Sequence, residues 1–240
     1  MKFNTAYSIF QLGDTALIIE FAPVIDEQIN DQVLLLFRFL KNCSLPEVLD
    51  LVPAYNSLAM FYDPLVARAQ TTAGQTAFEV MAAKIQNLLN KETDSELLAG
   101  RRINIPVCYR LPYATDLQSV AETTAISADD IVQLHISKIY RVYMIGFLPG
   151  FAYMGEIDER IEMPRKKTPE NVQAGSVGIT GRQTGIYPLS SPGGWQIIGR
   201  TPLSIFNAEA EDPVLLQPGD TVKFFPITED EFENYKGWHT

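Results

Sequence analysis

Arg102-Ile103-Asn104-Ile105-Pro106-Val107-Cys108 alternates with a period of two, the pattern of a strand with one buried face. The chain beyond Cys108 keeps that character. Of the 15 glycines, 12 lie after Arg101, among short alternating runs at Ile139 to Ile145, Gln196 to Ile198 and Thr221 to Phe225. Short strands divided by frequent Gly and Pro describe a closed, many-turned β-domain. Thr115 to Thr123 and Ser127 to Ser137 are expected to be short helices within it.

Upstream the periodicity differs. Ala16 to Phe21 reads as a strand entered through the Gly13-Asp14 turn. From Ile25 onward, Ile29, Val33, Leu36, Phe37 and Leu40 recur at helical spacing, with Asp26 available as the cap. Strands are expected at Val48 to Val52 and Ser57 to Tyr62. Thr76 and Glu79 form a capping-box pattern before a second helix, whose apolar face carries Phe78, Met81, Ile85 and Leu88. Two helices on one face of a small antiparallel sheet satisfy this pattern. Lys91 to Arg101 is polar and reads as a linker. The expected fold class is therefore α+β: an N-terminal small α/β sandwich domain over residues 1–92 and a C-terminal β-barrel domain over residues 101–240.

The net charge of −10 opposes a polyanionic partner, so no nucleic acid is expected. Met1-Lys2-Phe3-Asn4-Thr5 does not begin a secretory signal, and no stretch approaches a membrane span. Cys43 and Cys108 lie in apolar surroundings, as small core residues of a reducing compartment, so the expected location is cytoplasmic. Two cysteines and two histidines, His135 and His239, lack metal-ligand spacing, and no metal is expected.

Four stretches carry candidate chemistry. Gly146-Phe147-Leu148-Pro149-Gly150-Phe151-Ala152-Tyr153-Met154-Gly155 displays aromatics from a tight Pro-Gly turn, either to plug the barrel end or to wall a pocket. Met163-Pro164-Arg165-Lys166-Lys167-Thr168-Pro169 gathers three cations, a solvated turn or an anion-binding fork centred on Arg165. Ala174-Gly175-Ser176-Val177-Gly178 lacks the spacing of a nucleophile elbow, so Ser176 is not read as a nucleophile. His135, on a helix with Ile131 and Leu134, is read as a packed or orienting residue. In the fourth stretch, Pro192-Gly193 is expected to turn and to present Ser190, Ser191 and Trp195 at a rim, with Gln183, Tyr187 and Arg200 as hydrogen-bond donors. No phosphate-binding Gly-rich loop and no Met-Lys-Met biotinylation site is present, so ATP or carrier chemistry is expected on another chain.

Taken in order, Ile105-Pro106-Val107-Cys108-Tyr109, Val142-Tyr143-Met144-Ile145-Gly146-Phe147, Pro149-Gly150-Phe151-Ala152-Tyr153, Gly175-Ser176-Val177-Gly178-Ile179, Ser191-Pro192-Gly193-Gly194-Trp195 and Gly199-Arg200-Thr201-Pro202 resemble one family. It is that of the 5-oxoprolinase B subunit, the kinase inhibitor KipI and allophanate hydrolase subunit 1, built on carboxyltransferase subdomains C and D. The resemblance implies a cyclophilin-like barrel and a role as one component, inactive alone, of an ATP-dependent 5-oxoprolinase that opens 5-oxoproline to glutamate. The implied partners are a C subunit similar to allophanate hydrolase subunit 2 and an A subunit of the lactam-utilisation type. ATP would be bound mainly by a partner, with no metal or biotin on this chain. The family also implies two other roles, inhibition of a sensor histidine kinase and a part in allophanate or urea carboxylase chemistry. For lactam opening, Arg165 and Arg200 are the candidates for stabilising negative charge. Tyr143, Phe151, Tyr187 and Trp195 would wall the pocket, Gln183 and Ser191 would orient the amide, and Phe147 and Ser176 are further substrate-binding candidates. One departure stands out: Glu170 follows Pro169 where relatives commonly carry an arginine.

Overall fold

The computed structural model describes residues 6–69, 74–90 and 100–235. Positions 1–5, 70–73, 91–99 and 236–240 lie outside them, and with these His239 and most of the expected linker. The chain divides into two compact units, Met1–Leu98 and Ala99–Thr240.

In the first unit, β1 (Ser8–Gln11), β2 (Ala16–Glu20), α1 (Glu27–Asn42), β3 (Val48–Pro53), β4 (Ser57–Tyr62), α2 (Pro64–Arg68) and α3 (Ala77–Leu89) follow in order. The strands form an antiparallel sheet in the order β1-β2-β4-β3. Helix α1 begins where the Asp26 carboxylate accepts the backbone N–H groups of Gln28 and Ile29. Thr76 and Glu79 make the reciprocal capping box of α3. Val33, Leu36 and Leu40 of α1 and Met81 and Ile85 of α3 form one core with Leu17, Ile19, Leu58, Met60 and Tyr62 of the sheet. Strand β1 and helix α2 have no counterpart in the sequence reading. In β1 only Ile9 is even half-buried, so there is no alternation to read, and α2 is a single five-residue turn.

The second unit runs β5 (Arg102–Val107), α4 (Leu117–Thr124), α5 (Ala128–Ser137), β6 (Tyr140–Ile145), β7 (Ala152–Gly155), β8 (Glu170–Val172), β9 (Ser176–Thr180), β10 (Gln183–Ile186), β11 (Ser191–Gly193), β12 (Gln196–Arg200), β13 (Thr221–Pro226) and α6 (Glu229–Glu233). Seven strands pair in the order β12-β9-β10-β7-β6-β13-β5, antiparallel except β13 on β5. Just beyond β5, Cys108 bridges to Arg200 of β12, so the two edges meet and the sheet is a nearly closed barrel. Its interior packs Ile105, Val142, Ile179, Ile186 and Phe224 with Leu117 and Val120 of α4 and Ile131 of α5. Closure leaves few open edges, which is how small β-domains avoid unpaired backbone.

Two expectations are corrected. Pro192-Gly193 is not a turn: Ser191–Gly193 is strand β11, paired with β8 in a separate two-stranded ribbon. The glycine there serves a close approach, because a Cβ on Gly193 would stand 2.5 Å from the Tyr187 hydroxyl oxygen. Cys43 is half-buried and not a core residue, whereas Cys108 is buried.

Candidate functional site

Strands β7, β9 and β10, the loop before β7, the 163–169 loop and the residues after β11 surround a cavity of about 170 Å³. Phe147, Phe151, Tyr153, Arg165, Thr180, Gln183, Tyr187, Gly193 and Trp195 line it. Six of the ten sequence candidates therefore converge: Phe147, Phe151, Arg165, Gln183, Tyr187 and Trp195. Phe151 is the hub, with ring centroids 4.8 Å from Tyr153, 5.1 Å from Tyr187 and 5.3 Å from Trp195. Near-perpendicular packing with Tyr187 and Trp195 sets ring edges against ring faces, the arrangement favoured by the aromatic quadrupole. The Pro149-Gly150 turn builds the loop as expected, with Phe151 donating its N–H to the Leu148 carbonyl and Gly150 at φ +82°. Phe147 also takes a left-handed backbone, φ +70°, and stands 63% exposed at the mouth. Burial raises the hydroxyl pKa of both Tyr153 and Tyr187, partly offset at Tyr153 by the Arg165 charge and at Tyr187 by the Trp195 backbone N–H and then Arg165, so both phenols are neutral. Thr180 is a lining residue that the sequence reading did not single out, whereas Tyr153 is one of the aromatics it read as plugging the barrel end or walling a pocket. Tyr153 on β7 lies two residues beyond Phe151, which immediately precedes the strand, and both side chains reach the cavity.

The cavity is smaller than the roughly 300 Å³ at which pockets for drug-sized ligands begin, and it is aromatic with a few polar atoms. It suits a small ring bearing one or two hydrogen-bonding groups. Arg165 makes no ion pair or hydrogen bond among the described residues, so its guanidinium is available to an anionic group.

The other four candidates lie elsewhere. Ser176 and Arg200 line a second cavity of about 110 Å³, with Tyr113, Lys166, Glu170 and Gln173. Arg200 donates to the Ala174 carbonyl over 2.8 Å and to the Gln173 side chain. Tyr143 is buried on β6 and lines neither cavity. The Ser191 hydroxyl is buried without a hydrogen-bond partner among the described residues, having gone into the β11 ladder and not to a rim.

The departure at Glu170 is accommodated locally. Its carboxylate lies 2.6 Å from the Lys166 ammonium, which also meets Asp116 at 2.8 Å. Burial alone would depress the Lys166 pKa, but these two carboxylates hold it above its ordinary value.

His135 is fully buried, with Nδ1 2.9 Å from the Tyr109 hydroxyl and Nε2 3.0 Å from Thr184 Oγ1. Thr184 gives its single hydroxyl proton to the Gly178 carbonyl. Nε2 must therefore carry the imidazole proton, leaving Nδ1 to accept from Tyr109. Burial lowers the pKa to about 3, so the ring is a neutral strut beneath β10, as a packed histidine should be.

The sequence matches the model of the carboxyltransferase domain, subdomain C and D, over residues 7–216. The chain belongs to this family. It is 39% identical over 232 residues to the 5-oxoprolinase B subunit of Bacillus subtilis (strain 168), covering 96% of this chain and 97% of that protein. With the 5-oxoprolinase B subunit of Escherichia coli O157:H7 it shares 36% over 223 residues, or 92% and 96% of the two chains. Among solved structures, TTHA0988 superposes with a TM-score of 0.73 at 33% identity, covering 88% of this chain but 40% of TTHA0988. No helix of the described residues is long and apolar enough to cross a membrane.

Proposed function

We propose that this chain is the B subunit of an ATP-dependent 5-oxoprolinase and contributes the aromatic cavity to the opening of 5-oxoproline. The observation that carries this reading is end-to-end similarity to two proteins named as 5-oxoprolinase B subunits, each covered over at least 96% of its length. The cavity supports it, since a five-membered lactam is a small ring with one amide and one carboxylate. Phe151 and Trp195 would flank the ring, Gln183 and the Tyr187 phenol would orient the amide, and Arg165 would face an anionic group.

The lactam is unstrained, so hydrolysis is coupled to ATP. The amide oxygen attacks the γ-phosphorus and ADP leaves. Water adds to the activated ring carbon, and the C–N bond breaks with nitrogen departing as the amine. A second water cleaves the acyl phosphate to carboxylate and inorganic phosphate. Negative charge grows on the carbonyl-derived and phosphoryl oxygens, where an arginine is most effective. ATP would be held mainly by partners, a C subunit resembling allophanate hydrolase subunit 2 and a lactam-utilisation A subunit, in the cytoplasm. Arg200 would act indirectly, by holding the Gln173-Ala174 turn.

The test is lactam-dependent glutamate formation from ATP by this chain with both partners, and with each component omitted in turn. Product only in the full mixture, and a KM for 5-oxoproline raised about tenfold or more by Arg165→Ala in an intact assembly that still turns over, is the expected result. Undiminished turnover without this chain would remove the reading.

A further inference from the structure

Arg165 is the cation of its loop that faces the aromatic cavity, and the residues on either side of it are pinned. The Pro164 carbonyl accepts from the Gln196 side-chain amide over 3.0 Å, and the Lys166 N–H donates to the Gly194 carbonyl over 2.7 Å. The Lys166 side chain turns away from the aromatic cavity and ends between Asp116 and Glu170, at 2.8 and 2.6 Å. This tie is not a solvated surface pair: the side chains of Lys166 and Asp116 are only 13% and 15% exposed. Asp116 is itself fixed, because the carboxylate oxygen that meets Lys166 also accepts the Ile197 N–H over 2.6 Å, while its own N–H donates to the Ile197 carbonyl over 2.8 Å. The result is a chain of contacts from strand β12 through Asp116 to the residue next to Arg165.

From this geometry we infer that Lys166 is a positioning residue. Its ammonium, clamped by Asp116 and Glu170, fixes the loop so that the neighbouring Arg165 guanidinium stays aimed into the aromatic cavity. A 163–169 loop released from this clamp would not hold the Arg165 guanidinium at the cavity wall. The inference rests on the proposed lactam site and extends it to the residues that keep Arg165 in place. It also gives Glu170 a role in this chain that an arginine at that position could not fill.

The test uses the assembled three-subunit complex and reads KM for 5-oxoproline separately from kcat. Lys166→Met should raise KM about tenfold with kcat within about twofold, the signature of lost ligand binding. Lys166→Arg should restore it, and Asp116→Asn, which keeps an acceptor for the Ile197 N–H, should reproduce the KM rise should Lys166→Met fold poorly. The decisive arm is the Arg165→Ala background, in which Lys166→Met should add less than about a twofold change because the residue it positions is gone. An equal KM increase in both backgrounds, or none in either, overturns the inference while leaving the lactam reading intact. A wild-type complex that forms no glutamate from 5-oxoproline overturns the lactam reading first, and this inference with it.

Discussion

Cys108 and Arg200 exchange two backbone hydrogen bonds, 2.9 and 3.0 Å long, where the first and last strands of the seven-stranded order meet. This seam lets a sheet of short strands enclose one core, and β12 reaches it through an irregularity between Ile197 and Gly199. The neighbouring glycine has no room to spare, since a Cβ on Gly199 would lie 2.6 Å from Val107 Cγ1 and 3.0 Å from the Cys108 carbonyl. Gly199→Ala should therefore destabilise the second unit by about 1–3 kcal/mol through overpacking. Urea denaturation followed by tryptophan fluorescence measures this, and an unchanged midpoint would show that the seam is not tight.

The buried His135 makes stability depend on pH. Its folded pKa is about 3 against an ordinary 6.5, so between those values the unfolded chain binds a proton that the folded chain does not. Stability from this group is complete above pH about 6.5 and falls as pH drops toward 3, by about 1.4 kcal/mol per unit inside that window. His135→Gln should flatten the pH dependence between 4 and 6 relative to wild type. Parallel slopes for the two proteins would contradict the neutral-strut assignment.

Phe147 holds a bulky side chain at φ +70°, a conformation that costs roughly 1–2 kcal/mol in any residue but glycine. Its ring meets Phe151 edge to face, 5.7 Å between centroids, at the cavity mouth. Phe147→Gly should thus raise thermal stability while raising KM for 5-oxoproline in the assembled complex. A ring that merely caps the barrel predicts the opposite sign for stability, so calorimetry and kinetics on one variant separate the two roles.

Gly193→Ala should displace the Tyr187 phenol, which lies 2.5 Å from the position a Cβ would take. Because Tyr187 packs on Phe151, the aromatic cavity should deform and lactam turnover should fall at least tenfold, while the second unit remains folded by circular dichroism. Full activity in this variant would remove Tyr187 from the site.

Local physics written into neighbouring residues is legible in the amino-acid order alone. Asp26 and Thr76 with Glu79 cap their helices as their side-chain chemistry predicts, because capping joins residues within a few positions of one another. The strand at Arg102 to Val107 and the Pro149-Gly150 turn are equally local, although the expected single buried face holds only to Ile105, beyond which every residue through Cys108 is buried. Strand β1 escaped because an exposed edge strand has no buried face to impose a period. Pro192-Gly193 misled because the same dipeptide fits a turn or an edge ribbon, and the choice lay with β8, some 20 residues upstream.

The residue types at the candidate site were likewise visible, but their grouping was not. Sequence alone determined two kinds of periodicity, the turn chemistry, and an aromatic and basic set spread from Tyr143 to Arg200. Only the tertiary structure decided that Phe147, Phe151, Arg165, Gln183, Tyr187 and Trp195 share one cavity, while Ser176 and Arg200 face another. Strand register decides it: successive side chains point to opposite faces, so a cavity is chosen by the pairing of β7, β9, β10 and β12, which no short stretch of the chain encodes by itself.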